Sequence, residues 1–133
     1  MNLLILCTLF IVQFVGHRIG DFILQTDYQA KNKTTNSEAR FMHCLVYSAT
    51  IAILSAFITP SWALFVFIVT LIEHYLIDDR RFVIWLKAFI ETKIAGNKNF
   101  DISDLPSFVI IEVDQTIHYT RILIISAIIA YFI

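Results

Sequence analysis

The sequence is poor in charged residues and in cysteine, and both shortages limit what kind of protein it encodes. Only 16% of its 133 residues are charged, whereas 58% are hydrophobic, and the mean hydropathy is +0.73. A soluble domain of this length needs more polar surface to cover its core, so we expect a membrane protein. Cys7 and Cys44 lie at opposite ends of their apolar segments and lack metal-ligand spacing, so we expect neither a disulfide nor a thiolate metal site.

The first apolar segment also lacks a basic start and a small-residue cleavage site. It begins with Met1 and Asn2 and continues without a break to His17 and Asp21. A secretory signal peptide has both of the missing features. We therefore expect this segment to be a membrane helix that is retained.

Four apolar segments have about the 20 residues that a membrane-spanning helix needs. The predicted spans are residues 3–23, 37–58, 62–79 and 107–133. The proline between the second and third spans ends one helix before the next begins. The sequence therefore predicts an all-α, polytopic membrane protein, in which residues 1–133 form a single domain, a four-transmembrane-helix bundle.

Residues 82–95, between the third and fourth spans, are too charged and too few to cross a membrane. Their apolar side chains recur at helical spacing, with lysine and glutamate between them. This pattern predicts an amphipathic helix that lies on the membrane surface. A short helix that packs over the mouth of the bundle is the alternative.

The ten lysine and arginine residues lie in or near the two long connections between the spans, and the opposite connections contain none. Because positively charged loops stay in the cytoplasm, this asymmetry predicts cytoplasmic long loops. Both chain ends are then expected on the outer side.

All four histidines lie in the predicted spans, and three of them have an aspartate four residues away. The seven residues are His17 with Asp21, His43 alone, His74 with Asp78, and Asp114 with His118. Each set lies about six residues, or roughly 9 Å, from the cytoplasmic boundary, although the spans alternate in direction. Ionisable side chains in membrane helices are costly and indicate a functional site.

Residues four apart share one face of a helix, so these side chains are able to meet inside a bundle. Imidazole and carboxylate donors without cysteine favour one or two divalent transition-metal ions, with zinc preferred and iron, manganese or nickel as alternatives. A proton relay and a cluster that only fixes helix packing are the other interpretations. The predicted metal ligands are His17, Asp21, His43, His74, Asp78, Asp114 and His118.

Further polar residues near this level are candidates for catalysis and substrate binding. Asp114 and Glu73 are predicted to move protons. Basic and amide side chains are predicted to hold an anionic head group, although most of the basic ones are explained equally well as topology signals. The candidates for substrate binding are Arg18, Gln25, Lys33, Gln115 and Arg121.

The run from His17 to Thr26, with Lys33 after it, and the later motifs around His43, His74 and Asp114 resemble a bacterial integral-membrane family. It is the domain-of-unknown-function family numbered thirty-three-oh-seven. The resemblance covers nearly the whole chain and implies a bacterial inner-membrane protein, but it implies no activity. A looser similarity is to inner-membrane metal-dependent hydrolases, which implies hydrolysis only by analogy.

These patterns predict a metal-dependent hydrolase that acts on a lipid, or on a membrane-associated phosphoester or ester, from the cytoplasmic side. A metal-ion or proton transporter or sensor is the first alternative, although the outer halves of the spans contain no carboxylate and no histidine. A small membrane scaffold or effector is the second. The expected partners are the lipid bilayer and an anionic lipid or phosphoester substrate; no nucleic acid is expected, and self-association stays open.

Overall fold

The computed structural model describes all residues from Met1 to Ile133, and they form helices and no strands. The helices in chain order are α1 (Leu3–Arg18), α2 (Asp27–Asn32), α3 (Ser37–Ala56), α4 (Ala63–Ile77), α5 (Arg81–Phe89) and α6 (Ser107–Phe132). A π-helical turn, Ile19–Ile23, continues α1, and another, Ile90–Ile94, continues α5. Short 3₁₀ turns, Pro60–Trp62 and Ile102–Asp104, precede α4 and α6. The all-α class is confirmed.

Side chains at the helix ends explain where the elements begin. The Asn36 side chain accepts hydrogen bonds from the backbone N–H groups of Glu38 and Ala39, which caps α3. Thr26 and Gln29 form a capping box at the start of α2, a helix that we had not predicted in this polar loop. Arg80 has a positive φ of 61°, which turns the chain sharply from α4 into α5.

The four long helices, α1, α3, α4 and α6, pack together as a bundle in which α3 contacts α1 and α4, and α1 also contacts α6. Two glycines allow α1 to approach α3 closely. A Cβ atom at Gly20 would lie 2.7 Å from the Tyr47 ring, and one at Gly16 would lie 3.2 Å from the Ile51 side chain. This close approach brings the polar end of α1 against the polar end of α3.

Three helices are long and apolar enough to cross a membrane: Leu3–Ile23, Ser37–Ala56 and Pro60–Ile77. The prediction of four such spans is therefore corrected to three. Helix α6 is long enough at 26 residues, but its segment from Ser107 to Arg121 contains several polar and charged residues that reduce its hydropathy: Glu112, Asp114, Gln115, His118 and Arg121. The polar residues that make α6 a candidate for metal binding therefore also exclude it from the candidate membrane spans.

The outer faces of the bundle are apolar, and its interior is polar at one end. Large hydrophobic side chains such as Leu4, Phe57 and Leu64 are at least 70% exposed. At one end of the bundle the interior is a hydrophobic cluster that includes Leu9 and Ile129. Residues 81–94 form the expected helix as α5 with its π-helical turn, and its place at a membrane surface stays a prediction. Both cysteines are free, as expected.

Candidate metal centre

Six histidine and aspartate side chains meet inside the bundle and are all buried. They come from α3, α4 and α6, from the π-helical turn that continues α1, and from the residue that follows α4. They form two groups of possible ligand atoms, and within each group the atoms lie within 4.8 Å of one another. The first donor group is Asp21, His43, His74 and Asp78; the second donor group is Asp78, Asp114 and His118. Asp78 belongs to both groups, because its two carboxylate oxygens face in different directions.

The separations in the first donor group suit a tetrahedral ion. His43 Nε2 lies 3.0 Å from Asp21 Oδ1, 3.0 Å from His74 Nε2 and 3.3 Å from Asp78 Oδ2. His74 Nε2 lies 3.6 Å from Asp21 Oδ1 and 3.4 Å from Asp78 Oδ2. Four ligands at metal-bond length around a tetrahedral ion are about 3.3–3.6 Å apart. Three of the five separations fall in this range, whereas the two of 3.0 Å are shorter, so a metal ion would require His43 to move outwards by a few tenths of an ångström.

A lysine side chain already lies among these atoms. Lys33 Nζ is 2.9 Å from Asp78 Oδ2 and 3.3 Å from both Asp21 Oδ1 and His43 Nε2. Burial by itself would lower the pKa of Lys33, but the carboxylates of Asp78 and Asp21 outweigh burial and raise that pKa above its usual value. Lys33 is therefore a charged ammonium group that partly neutralises the first donor group.

The second donor group has three unpaired ligand atoms. His118 Nε2 lies 3.5 Å from Asp78 Oδ1 and 3.8 Å from Asp114 Oδ1. None of these three atoms has a hydrogen-bond partner, although all three are buried. A buried polar atom without a partner is costly, and these three atoms face one another. A cation bound between them would give all three a partner. Three protein ligands would leave one position of a tetrahedral ion open.

The two donor groups are joined through a pair of histidines. The Nδ1 atoms of His74 and His118 lie 3.3 Å apart, and their Nε2 atoms belong to different groups. The Tyr47 ring stacks on His74 with the ring centroids 3.6 Å apart and holds that imidazole in place. The orientation of each histidine therefore depends on the other.

His17 lies beside the donor groups but belongs to neither. The Gln115 amide donates to Asp21 Oδ2 at 3.2 Å, so its oxygen faces His17 Nε2 at 2.8 Å and accepts the proton of that nitrogen. His17 Nδ1 then accepts from the Tyr47 hydroxyl at 2.7 Å, and that hydroxyl accepts from Arg121 Nη2 at 2.9 Å. Both ring nitrogens of His17 are thus engaged, and the geometry gives His17 an orienting place in the network.

The other predicted residues are divided between this network and the surface. Glu73 lies apart from the donor groups, with Oε2 3.8 Å from Arg121 Nε, in a cavity of about 800 Å³ between α4, α5 and α6. Gln25 donates to the backbone oxygen of Asp21, and exposed Arg18 lies over the Phe22 ring. Neither of these two side chains contacts a donor atom of either group.

Sequence reasoning missed Tyr47, which is fully buried and contacts His17, His74 and Arg121. Its spacing of four residues from His43 on α3 was an available signal, because that spacing places both side chains on one face. The ammonium group of Lys33 lies inside the first donor group, and the binding of a substrate by Lys33 stays a prediction.

A family model matches residues 9–132 of the chain, and the family is described as a protein of unknown function (DUF3307). No curated protein and no solved structure matches the chain. The matched range includes both donor groups and Lys33. The looser similarity to metal-dependent hydrolases has no support from these comparisons.

Proposed function

The chain belongs to this DUF3307 family of unknown function, and we propose that it is a membrane-embedded metalloprotein that hydrolyses a lipid or another membrane-associated phosphoester or ester. One observation carries the proposal. Buried nitrogen and oxygen donors carried by the four long helices, and by the turns that follow two of them, converge, and the ligand atoms of each donor group lie within 4.8 Å of one another. Convergence from four helices is typical of metal sites inside helical bundles.

The residues of the centre suit hydrolysis. A divalent ion bound here would polarise the substrate and favour ionisation of water. Asp114 Oδ1 faces the second donor group, so the other oxygen of this carboxylate, Oδ2, is proposed to accept the proton of an attacking water. Gln115 donates to Asp114 Oδ2 at 3.4 Å and orients the carboxylate.

The cavity beside α4 is proposed as the place for the apolar part of the substrate. Leu76, Phe82, Leu86 and Ile124 contribute apolar walls, and Arg121 contributes a cation near its base. At about 800 Å³ the cavity falls in the size range of small-molecule sites. Glu73 lies in this cavity and not with the donor groups, which suits a role in substrate contact better than the predicted proton transfer.

The membrane arrangement is part of the proposal. Helix α6 contacts α1, its polar residues face the interior, and its exposed residues are largely apolar, which would suit contact with lipid beside the three candidate spans. The basic residues of the long connections support a position of the donor groups near the cytoplasmic face of a bacterial inner membrane.

The matched pair Asp78→Asn and Asp79→Asn tests the proposal. Asp78 contributes to both donor groups, whereas neighbouring Asp79 pairs with Arg40 and Arg81 outside them. We expect stoichiometric zinc or another transition metal in detergent-purified wild-type protein and in Asp79→Asn, and almost none in Asp78→Asn. Turnover of phospholipids or isoprenoid phosphates is expected to fall by at least about 100-fold in Asp78→Asn.

A second candidate function is favoured by Lys33. An ammonium group that already neutralises two carboxylates would suit a metal-free polar network that fixes helix packing in a scaffold or effector. Wild-type protein without metal and without turnover would support that candidate over the hydrolase. Transport is less well supported, because the opposite half of the bundle contains buried Gln13, Ser48, Ser55 and Ser126 but no buried carboxylate or histidine.

A further inference from the structure

We infer that the centre binds one divalent ion and not two, that the ion lies in the second donor group, and that Lys33 is the residue that decides this choice. The inference rests on the metal binding of the proposed function and assigns its location. Sequence alone allowed one or two ions, and the donor groups by themselves would allow either site.

The first donor group already contains the ammonium group of Lys33. Lys33 Nζ contacts three of its four donor atoms, at 2.9–3.3 Å. A metal ion at the centre of that group would lie close to the ammonium charge in a buried environment, where repulsion between like charges is strong. The first donor group therefore accepts a metal ion only if Lys33 leaves it.

The second donor group differs, because its facing atoms contact no ammonium or guanidinium group. No lysine or arginine lies within 4.0 Å of Asp114, and the facing atoms Asp78 Oδ1, Asp114 Oδ1 and His118 Nε2 have no hydrogen-bond partner. Buried carboxylate oxygens are rarely left in this state without a cation or water. Of the two groups, this one therefore offers three unpaired donor atoms with no ammonium group among them.

The imidazoles of His74 and His118 share one proton position. A neutral imidazole has one N–H, and at 3.3 Å the facing Nδ1 atoms of His74 and His118 have room for one proton between them. If both Nε2 atoms bound metal, both protons would lie on Nδ1 and would point at each other. Only one of His74 and His118 can therefore present a proton-free Nε2 while the rings keep this arrangement.

The net charge of the centre also favours one divalent ion. If the histidines are neutral while the carboxyl groups of Asp21, Asp78 and Asp114 and the ammonium group of Lys33 are ionised, the centre without metal has a net charge of −2. One divalent cation neutralises this set, whereas a second would leave an excess of two positive charges in a buried site. Uncompensated buried charge is strongly unfavourable, so the charge count agrees with the proton count.

These steps make Lys33 a specificity-determining residue. With the ion in the second group, His118 donates its Nδ1 proton to His74, and His74 Nε2 donates towards the first group, whose cation is Lys33. Removing Lys33 makes the first group available for metal, provided that His118 no longer competes for the shared proton position.

The experiment measures metal per chain by elemental analysis in detergent-purified protein loaded with zinc alone. Wild-type protein is expected to hold about one ion, and His118→Gln to lose it. The double variant Lys33→Met/His118→Gln is expected to regain about one ion, in the first donor group. The matched control, Lys31→Met/His118→Gln, is expected to stay without metal, because Lys31 is exposed and pairs only with Asp27.

Two ions in the wild type, metal retained in His118→Gln, or no recovery in the Lys33→Met double variant would each overturn the inference. Absence of metal from the wild type would instead overturn the metal binding of the proposed function. If His118→Gln does not give a monodisperse protein on size exclusion, Asp114→Asn removes another ligand of the second group. The same loss and the same recovery with Lys33→Met are expected there.

Discussion

The aromatic ring of Tyr47 lies parallel to the imidazole of His74, with the ring centroids 3.6 Å apart and an angle of 3° between the planes. The hydroxyl group of the same tyrosine contacts His17 and Arg121. One side chain therefore orients a donor of the first group and also connects the surrounding hydrogen bonds.

Tyr47→Phe separates these two roles. The stacked ring is kept, so metal content is expected to stay close to that of the wild type. His17 Nδ1 and Arg121 Nη2 lose a buried partner, and a buried group left without its partner costs about 1–3 kcal/mol. Thermal unfolding in detergent measures the loss, and an unchanged transition temperature would contradict the hydrogen-bond assignment.

Gly20→Ala is expected to disturb the same tyrosine from the other side. Its added Cβ would lie 2.7 Å from the Tyr47 ring and 3.2 Å from the Tyr47 Cα, so the two helices must move apart. Overpacking of this kind costs about 1–3 kcal/mol. Gly16→Ala is the control, because its added Cβ would lie 3.2 Å from aliphatic side-chain atoms of Ile51 and Leu54, and a smaller decrease in unfolding temperature is expected.

Metal removal is expected to destabilise the wild type but not Asp78→Asn. An ion that binds only the folded protein stabilises it by about 2.7 kcal/mol when its free concentration is 100 times Kd. Chelation should therefore lower the unfolding temperature of the wild type and of Asp79→Asn. A similar decrease in Asp78→Asn would show that the chelator acts elsewhere.

Glu73→Gln is expected to leave metal content unchanged, because Glu73 lies with Arg121 in the cavity and outside both donor groups. The comparison is Asp114→Asn, which removes a ligand and is expected to lose both metal and turnover. Elemental analysis and turnover measured on the same samples separate the two roles. Loss of metal in Glu73→Gln would contradict this assignment and would indicate that Glu73 contributes to metal binding.

Lys33 and Lys31 are expected to differ in their reaction with an amine-directed acylating reagent. The Lys31 side chain is 72% exposed, whereas that of Lys33 is 10% exposed and its ammonium group contacts two carboxylates. Mass spectrometry of labelled peptides should find Lys31 modified early and Lys33 protected until the protein unfolds. Equal labelling in the folded protein would contradict the buried position of Lys33.

Much of the helical arrangement follows from apolar runs and capping residues, and the convergence of His43, His74 and Asp78 follows from their shared level. The division into two donor groups does not. It depends on how Asp78 directs each of its oxygens and on the facing Nδ1 atoms of His74 and His118. Such ring and carboxylate orientations arise from tertiary packing, which one-dimensional spacing does not record.

His17 and Lys33 illustrate the same limit in opposite ways. The spacing of His17 from Asp21 equals that of His74 from Asp78, yet Tyr47 and Gln115, from other helices, engage both nitrogens of His17. Lys33 follows a short helix that composition alone did not predict, and this helix brings its ammonium group inward. In both cases a contact between distant parts of the chain decides the role of the residue.

The polar interior and apolar exterior also change what a substitution is expected to do. Among the buried residues, polar and charged side chains outnumber the hydrophobic ones, whereas the outer faces carry exposed leucine, isoleucine and phenylalanine. In a lipid environment those outer side chains have an apolar solvent on every side, so exchange of one for another changes little. Sensitivity to mutation should therefore rise with the polarity of the residue replaced, which is the reverse of the pattern in a water-soluble protein.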